Sequence, residues 1–224
     1  MTVRGVDPAR EGTANSANTL IAGVGHRFWS DYSAGPEWSD RLAGLEWPAN
    51  VTVEDYSYGA WAMTQRLQDE RYGRCIFLAA EPRDREAASL HVYRYAFDAA
   101  EYDALRVHDH MFEAVAGVIS VDLLLVVAGY FRVLPPETWV IEIEPANLEW
   151  GSGVSQPVEA RYAAVEAIVK ALVNGRPPPE VEVQRDLPLG SYGALAKRKG
   201  VSCNPKHPLT DKESAQVGAD GRRR

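Results

Sequence analysis

The amino-acid sequence predicts a three-layer α/β/α sandwich with a mainly parallel sheet of about five strands. Three observations lead to this fold class. Short apolar runs end at glycines, prolines or charged residues, as buried strands do. Segments whose apolar residues recur at helical spacing stand between these runs. Some strand runs are apolar at consecutive positions, which is typical of parallel strands covered by helices on both faces.

The first half of the predicted domain alternates strand and helix. Strands are predicted over 19–24, 51–55 and 75–80. The first and third are continuous apolar runs, whereas the second is β-branched and alternates in polarity. A helix is predicted over 59–71, because Trp61, Met63 and Leu67 recur at helical spacing.

The second half adds two strands and two helices. Residues 90–95 alternate in polarity around His91 and Tyr93, which predicts a strand at the edge of the sheet. A long helix is predicted over 110–130, a strand over 138–143 and a closing helix over 154–173. Ser155 is the expected N-cap of the closing helix.

Composition restricts the class of protein. The chain has 224 residues, of which 46% are hydrophobic and 25% charged, so it has the material for a packed core and bulk disorder is excluded. A net charge of −7 argues against nucleic acid as the main partner, because phosphate binding needs concentrated Lys and Arg. Two cysteines, Cys75 and Cys203, exclude a disulfide scaffold. The charged start of the chain lacks the apolar stretch of a signal peptide, so a cytoplasmic protein is expected. We also expect it to be a monomer.

Three segments are predicted from the distribution of charge and proline. Residues 1–17 are expected to be a disordered arm, and 18–174 to be the folded domain. Residues 175–224 hold 10 basic and 6 acidic residues and no sustained apolar period, which predicts a disordered tail. Residues 111–131 have the length of a membrane span, but ionised Glu113 and Asp122 would each cost about 2.5–3.5 kcal/mol at the bilayer centre. A buried helix is therefore predicted, with no membrane span.

Two loops carry motifs at the carboxyl ends of predicted strands, where open α/β sheets bind ligands. The loop after the first strand reads GVGHRFWSDYSAG over 23–35. Its GxG lacks the third glycine that a dinucleotide site needs, which argues against nucleotide binding. The loop before the closing helix reads EPANLEWGSGVSQPV over 144–158.

Both segments resemble the nickel–iron hydrogenase maturation proteases. In that family the first strand leads into G-x-G-N-x4-D-[D/E]-x-x-G, and the last helix follows E-P-x-x-L-E-x-G-x-G-L-S-x-P-V. The shared positions of the first motif are Gly23, Gly25, Asp31 and Gly35, and His26 replaces the family asparagine. The resemblance covers residues 19–173. It implies a phosphorylase/hydrolase-like fold and an endopeptidase that clips the C-terminal peptide of the nickel-loaded hydrogenase large subunit.

The resemblance also implies a mode of nickel recognition. In the family, three side chains contact the nickel of the substrate, and the protease has no permanently bound cofactor. The sequence departs from the family at all three positions. Tyr32 occupies the position of the first family carboxylate, and Ala80 that of the aspartate that ends the third strand. The position of the family histidine corresponds to Ala116 or Gly117, neither of which can bind a metal. A shifted metal-sensing set remains available in Asp31, Glu81 and His110.

Three functions stay open. The favoured one is a non-catalytic or atypical maturation factor that engages the large subunit, with no catalytic residue assigned. The alternatives are an active endopeptidase with the shifted site and an unrelated small-molecule α/β enzyme. The residues expected to contact the partner are Gly25, His26, Tyr32 and Glu149.

Each candidate residue also has an ordinary structural interpretation. The glycines of the first motif would serve close packing between the first strand and its helix. Asp31 would be a turn or capping residue, and Glu81 an exposed residue at a strand end. Trp29 and Trp150 would be core residues, although loop aromatics often anchor partners.

Overall fold

The computed structural model describes residues 18–101, 111, 113–115, 117–179 and 182–185. Six strands form one sheet: β1 (Thr19–Val24), β2 (Val51–Asp55), β3 (Arg74–Ala80), β4 (Leu90–Tyr95), β5 (Glu137–Ile143) and β6 (Glu182–Gln184). The described helices are α1 (Ala34–Ala43), α2 (Ala60–Glu70), α3 (Val121–Tyr130), α4 (Gln156–Glu159) and α5 (Tyr162–Val173), with short 3-10 turns at Ser30–Ser33 and Ala99–Glu101.

The strands lie in the order β2-β1-β3-β5-β4-β6. The first four are mutually parallel, whereas β4 runs antiparallel to β5 and β6 runs parallel to β4. The prediction of a mainly parallel sheet inside an α/β fold is therefore confirmed.

Helices cover both faces of this sheet. Alternate residues of β1 show why its run is apolar throughout: Leu20 and Ala22 belong to one core cluster with α2 and α3, and Ile21 belongs to a second cluster with α1 and α5. The same division holds for β3 and β5. A strand buried on both faces needs an apolar side chain at nearly every position, which accounts for the pattern in the sequence.

The expectation that residues 90–95 form an edge strand is wrong, because β6 pairs with Tyr93–Tyr95 on the side away from β5. This sixth strand lies within the segment predicted to be a disordered tail. It has three residues and one apolar side chain, Val183, so no periodic pattern marked it. The predicted arm over 1–17 and the tail beyond Arg185 lie outside the described residues.

The expectation of a continuous helix over 110–130 is also wrong. Residues 111 and 113–115 are helical, but Gly117 is not, because its φ is +79°, a value that suits glycine, and α3 begins only at Val121. The start of α3 lies beside Glu81, which accepts hydrogen bonds from the hydroxyl of Ser120 and the N–H of Val121, each at 3.4 Å. No helix among the described residues is both long and apolar enough to cross a membrane.

The glycines of the first loop permit close approaches of the backbone. A Cβ on Gly35 would lie 2.3 Å from the carbonyl oxygen of Val24 and 2.4 Å from that of Leu78. A Cβ on Gly25 would lie 2.0 Å from the carbonyl oxygen of Tyr32. Helix α1 therefore lies against the ends of β1 and β3 at a distance that only glycine allows.

Candidate functional site

The loops after β1 and β5 lie side by side at the carboxyl ends of these strands. Two backbone hydrogen bonds join them, from the N–H of Ser30 to the carbonyl of Gly151 (3.0 Å) and from the N–H of Gly151 to the carbonyl of Phe28 (3.2 Å). The indole N–H of Trp29 also donates to the carbonyl of Leu148 at 2.8 Å. The two sequence motifs thus meet at the place where an open α/β sheet binds its ligands.

Asp31 is the centre of this junction and is fully buried. Its Oδ2 accepts from the N–H groups of Ala146 (2.8 Å) and Asn147 (2.7 Å) and from the hydroxyl of Ser155 (2.9 Å). Its Oδ1 accepts from the N–H of Ser155 at 2.6 Å. A carboxylate has about four acceptor positions, so the chain's own donors occupy those that a metal would use. This geometry supports a structural role for Asp31, and its assignment as a metal ligand stays a prediction.

Ser155 occupies the N-cap position of α4, as expected, and its carbonyl accepts from the N–H of Glu159 at 2.8 Å. Its side chain makes no capping hydrogen bond, however, and its hydroxyl donates instead to Asp31.

Of the other two residues of the shifted metal set, the structure describes Glu81 only. Glu81 was expected to be exposed at a strand end, but it is 2% exposed because the start of α3 covers the end of β3. His110 lies outside the described residues. Within the part of the chain that the structure describes, no group of three or more His, Cys, Asp or Glu side chains could hold a metal ion.

The four residues predicted to contact a partner fall into two pairs. Gly25 and Tyr32 are buried, whereas His26 is half-buried and Glu149 is exposed. Burial lowers the pKa of His26, and a hydrogen bond to the backbone of Ile119 opposes that shift only in part, so the imidazole is neutral near pH 7. Only His26 and Glu149 of the predicted set are thus accessible to a partner.

A row of aromatic rings runs from the surface into this site. Trp150 stacks on Trp29 with centroids 5.3 Å apart and planes 9° apart, and Trp29 lies 5.7 Å from the ring of Tyr32. His26 meets both Trp29 and Tyr32 edge-on. We call these four rings the aromatic row.

The outer end of the aromatic row is unusually exposed. Trp150 is 75% exposed and the neighbouring Phe28 is 72% exposed. The expectation that loop tryptophans would be buried in the core is therefore wrong for Trp150. The signal in the sequence was its position next to Gly151, in a loop that follows a strand.

A buried charge network joins the loop after β3 to the end of β5 and the first turn of α3. The guanidinium of Arg83 donates to both oxygens of Asp122 (2.7 and 2.6 Å) and to both oxygens of Glu142 (3.2 and 2.9 Å). Arg85 and the hydroxyl of Tyr93 also donate to Glu142. Burial raises the pKa of Asp122, and the hydrogen bonds from Arg83 oppose that shift. Sequence reasoning missed this network.

These features define an α/β protein whose two motif loops are joined at the carboxyl edge of a mixed sheet, and solved structures of the same fold are hydrogenase maturation endopeptidases. A hydrogenase 3 maturation protease is 14% identical, with 78% of this chain and 100% of that chain covered and a TM-score of 0.53. The hydrogenase maturating endopeptidase HybD from E. coli is 17% identical, with 70% and 94% covered and a TM-score of 0.52. An endopeptidase from Escherichia coli is 20% identical, with 74% and 95% covered and a TM-score of 0.52.

No protein-family profile matches the sequence, and no curated protein matches it. At these levels of identity the likeness to solved structures establishes the fold. The fold that the family resemblance implied is therefore confirmed.

Proposed function

We propose that this chain is a maturation factor for nickel–iron hydrogenases, related to the maturation endopeptidases, and that it acts on the large subunit as a non-catalytic or atypical member of that family. One observation carries the proposal. The two segments that resemble the family meet through Asp31 at the ligand-binding edge of the fold that those endopeptidases share. Spatial convergence of two distant motifs supports one common site.

The residues at the family's nickel-sensing positions support the non-catalytic form. Tyr32 is 6% exposed and packs against the aromatic row, and a phenol with an ordinary pKa of about 10 is a poor ligand for a divalent ion at neutral pH. Ala80 has no ligand atom. The carboxylate of Asp31 is occupied by four hydrogen bonds from the chain. In this form the protein holds the large subunit without cutting it.

The second candidate is an active endopeptidase that senses the nickel of its substrate through Asp31, Glu81 and His110. Glu81 favours it, because its carboxylate follows Ala80 by one residue and is buried at the end of β3. Under either function the protein brings no cofactor of its own, and we expect a monomer that works in the cytoplasm.

Intact-mass spectrometry of the large-subunit precursor separates the two candidates. A nickel-loaded large-subunit precursor is incubated with the purified protein, and its mass is compared with that of an untreated sample. The expected result is capture of the precursor with an unchanged mass, because no carboxylate stands at the first two family positions. Glu81→Gln serves as the matched variant. Shortening of the precursor by the wild type, lost in Glu81→Gln, would establish the active endopeptidase.

A further inference from the structure

We propose that the exposed end of the aromatic row is a cation–π site that binds an arginine- or lysine-bearing segment of the large subunit. This inference rests on the proposed function and specifies the chemistry of the partner. It concerns Trp150, Phe28 and Glu149, of which only Glu149 was among the residues expected to contact a partner.

The ring of Trp150 is held in place before any partner arrives. One of its faces stacks on Trp29, whose indole N–H is fixed by the carbonyl of Leu148. The next residue, Gly151, is bound to the first loop by two backbone hydrogen bonds. A ring that is already ordered loses little conformational entropy on binding, so its contact energy is available for affinity.

The large exposed fractions of the Trp150 and Phe28 side chains indicate a binding surface. Trp150 and Phe28 are each more than 70% exposed, and they lie on adjoining loops at the carboxyl edge of the sheet. Large exposed aromatic side chains close together are typical of protein-binding sites. The stack uses one face of Trp150, so the ring has its other face to offer a partner.

The charges around the rings select a cation. Arg27, next to Phe28, binds two carboxylates, those of Asp40 at 2.6 Å and Asp55 at 2.7 Å. Glu149 precedes Trp150 and is exposed. These four groups carry one positive charge against three negative charges. Because Arg27 is already paired with two carboxylates, a positively charged side chain over the indole is favoured by the ring quadrupole and by the exposed carboxylate of the adjacent Glu149.

Affinity of the large-subunit precursor for four proteins tests the proposal. Trp150→Leu keeps apolar surface but removes the aromatic face, and we expect about tenfold weaker binding. Trp150→Phe keeps an aromatic face and should bind within a few-fold of the wild type, by the same reasoning. Glu149→Lys should also weaken binding by about tenfold and reduce its sensitivity to salt. Trp61→Leu is the matched control, because Trp61 is 42% exposed on α2 and its ring contacts Phe131 rather than the aromatic row, so binding should not change.

The variants change exposed side chains, and their melting temperatures are measured to confirm that each is folded. Binding that is unchanged in both Trp150→Leu and Glu149→Lys would overturn the cation–π site. Binding that falls in Trp150→Leu but is insensitive to Glu149→Lys and to salt would also overturn it, since a purely apolar partner behaves in that way. A wild-type protein that captures no precursor would refute the proposed function itself.

Discussion

Replacement of Arg83 by alanine is expected to lower the free energy of unfolding by about 3–5 kcal/mol. Asp122 and Glu142 are both 0% exposed, and the guanidinium of Arg83 donates to each of them through two nitrogen–oxygen contacts. Loss of the guanidinium leaves two buried carboxylates with too little compensating charge. Urea unfolding of the wild type and Arg83→Ala measures the difference.

The matched control is Arg41→Ala. Arg41 forms a similar two-contact pair with Glu159, at 2.6 and 2.8 Å, but both side chains are about 40% exposed. Water replaces the lost partner there, so the cost should be below about 1 kcal/mol. An equal cost for the two substitutions would show that burial does not control the strength of the Arg83 network.

The deficit of Arg83→Ala should also shrink as the pH falls. Burial already raises the pKa of Asp122 in the wild type, and removal of Arg83 removes the hydrogen bonds that oppose this shift. An acid whose pKa is higher in the folded than in the unfolded protein stabilises the fold at low pH, and that contribution disappears as the pH rises through the folded pKa. The gap between variant and wild type should therefore be larger at neutral pH than at mildly acidic pH.

Replacement of Asp31 by alanine is expected to lower the free energy of unfolding by about 3 kcal/mol, because it leaves three backbone N–H groups without their acceptor. The loop after β5 should loosen as well, and the stacking of Trp150 on Trp29 should weaken. Unfolding by urea measures the first effect and tryptophan fluorescence the second. Asp40→Ala is the control, since Asp40 is an exposed aspartate paired with Arg27 and its loss should cost below about 1 kcal/mol.

The Asp31→Ala substitution also distinguishes a structural role of Asp31 from a role as a metal ligand. If Asp31 is structural, the Asp31→Ala variant has a lower free energy of unfolding whether or not nickel-loaded precursor is present. A protein that keeps its stability in Asp31→Ala, but no longer responds to the nickel of the precursor, would instead establish Asp31 as a metal ligand.

The parallel part of the sheet could be predicted because its evidence is local. β1 and β3 are buried at every position and so read as continuous apolar runs between polar loops. The evidence for β6 is not local, since three residues with one apolar side chain are held by backbone pairing with β4. The break between the helical residues 113–115 and α3 was not predicted, because the apolar residues continue through Val118 and Ile119 and only backbone conformation, including the positive φ of Gly117, interrupts the helix.

In the candidate site, too, some features could be predicted from local sequence and others could not. The two motif loops could be placed at the carboxyl edge from strand order alone, and their resemblance to one family predicted that they belong together. The Arg83 network could not be predicted, because its loop, EPRDRE over 81–86, has the composition of an exposed turn. Its partners lie 39 and 59 residues further along the chain, at distances that no sequence periodicity reports.

The hydrogen bonds of Asp31 have a consequence for how the protein is made. They join residues that are separated by 115 to 124 positions, the first near the start of the domain and the last just before α4. Contacts of such high sequence separation form late in folding, because a long loop must close first. During synthesis the first loop, with its acceptor Asp31, leaves the ribosome long before the donors of Ala146, Asn147 and Ser155 have been made, so the two loops cannot yet be joined. The joined pair of loops, and any surface that depends on it, therefore arises only when nearly the whole domain has been translated and folded.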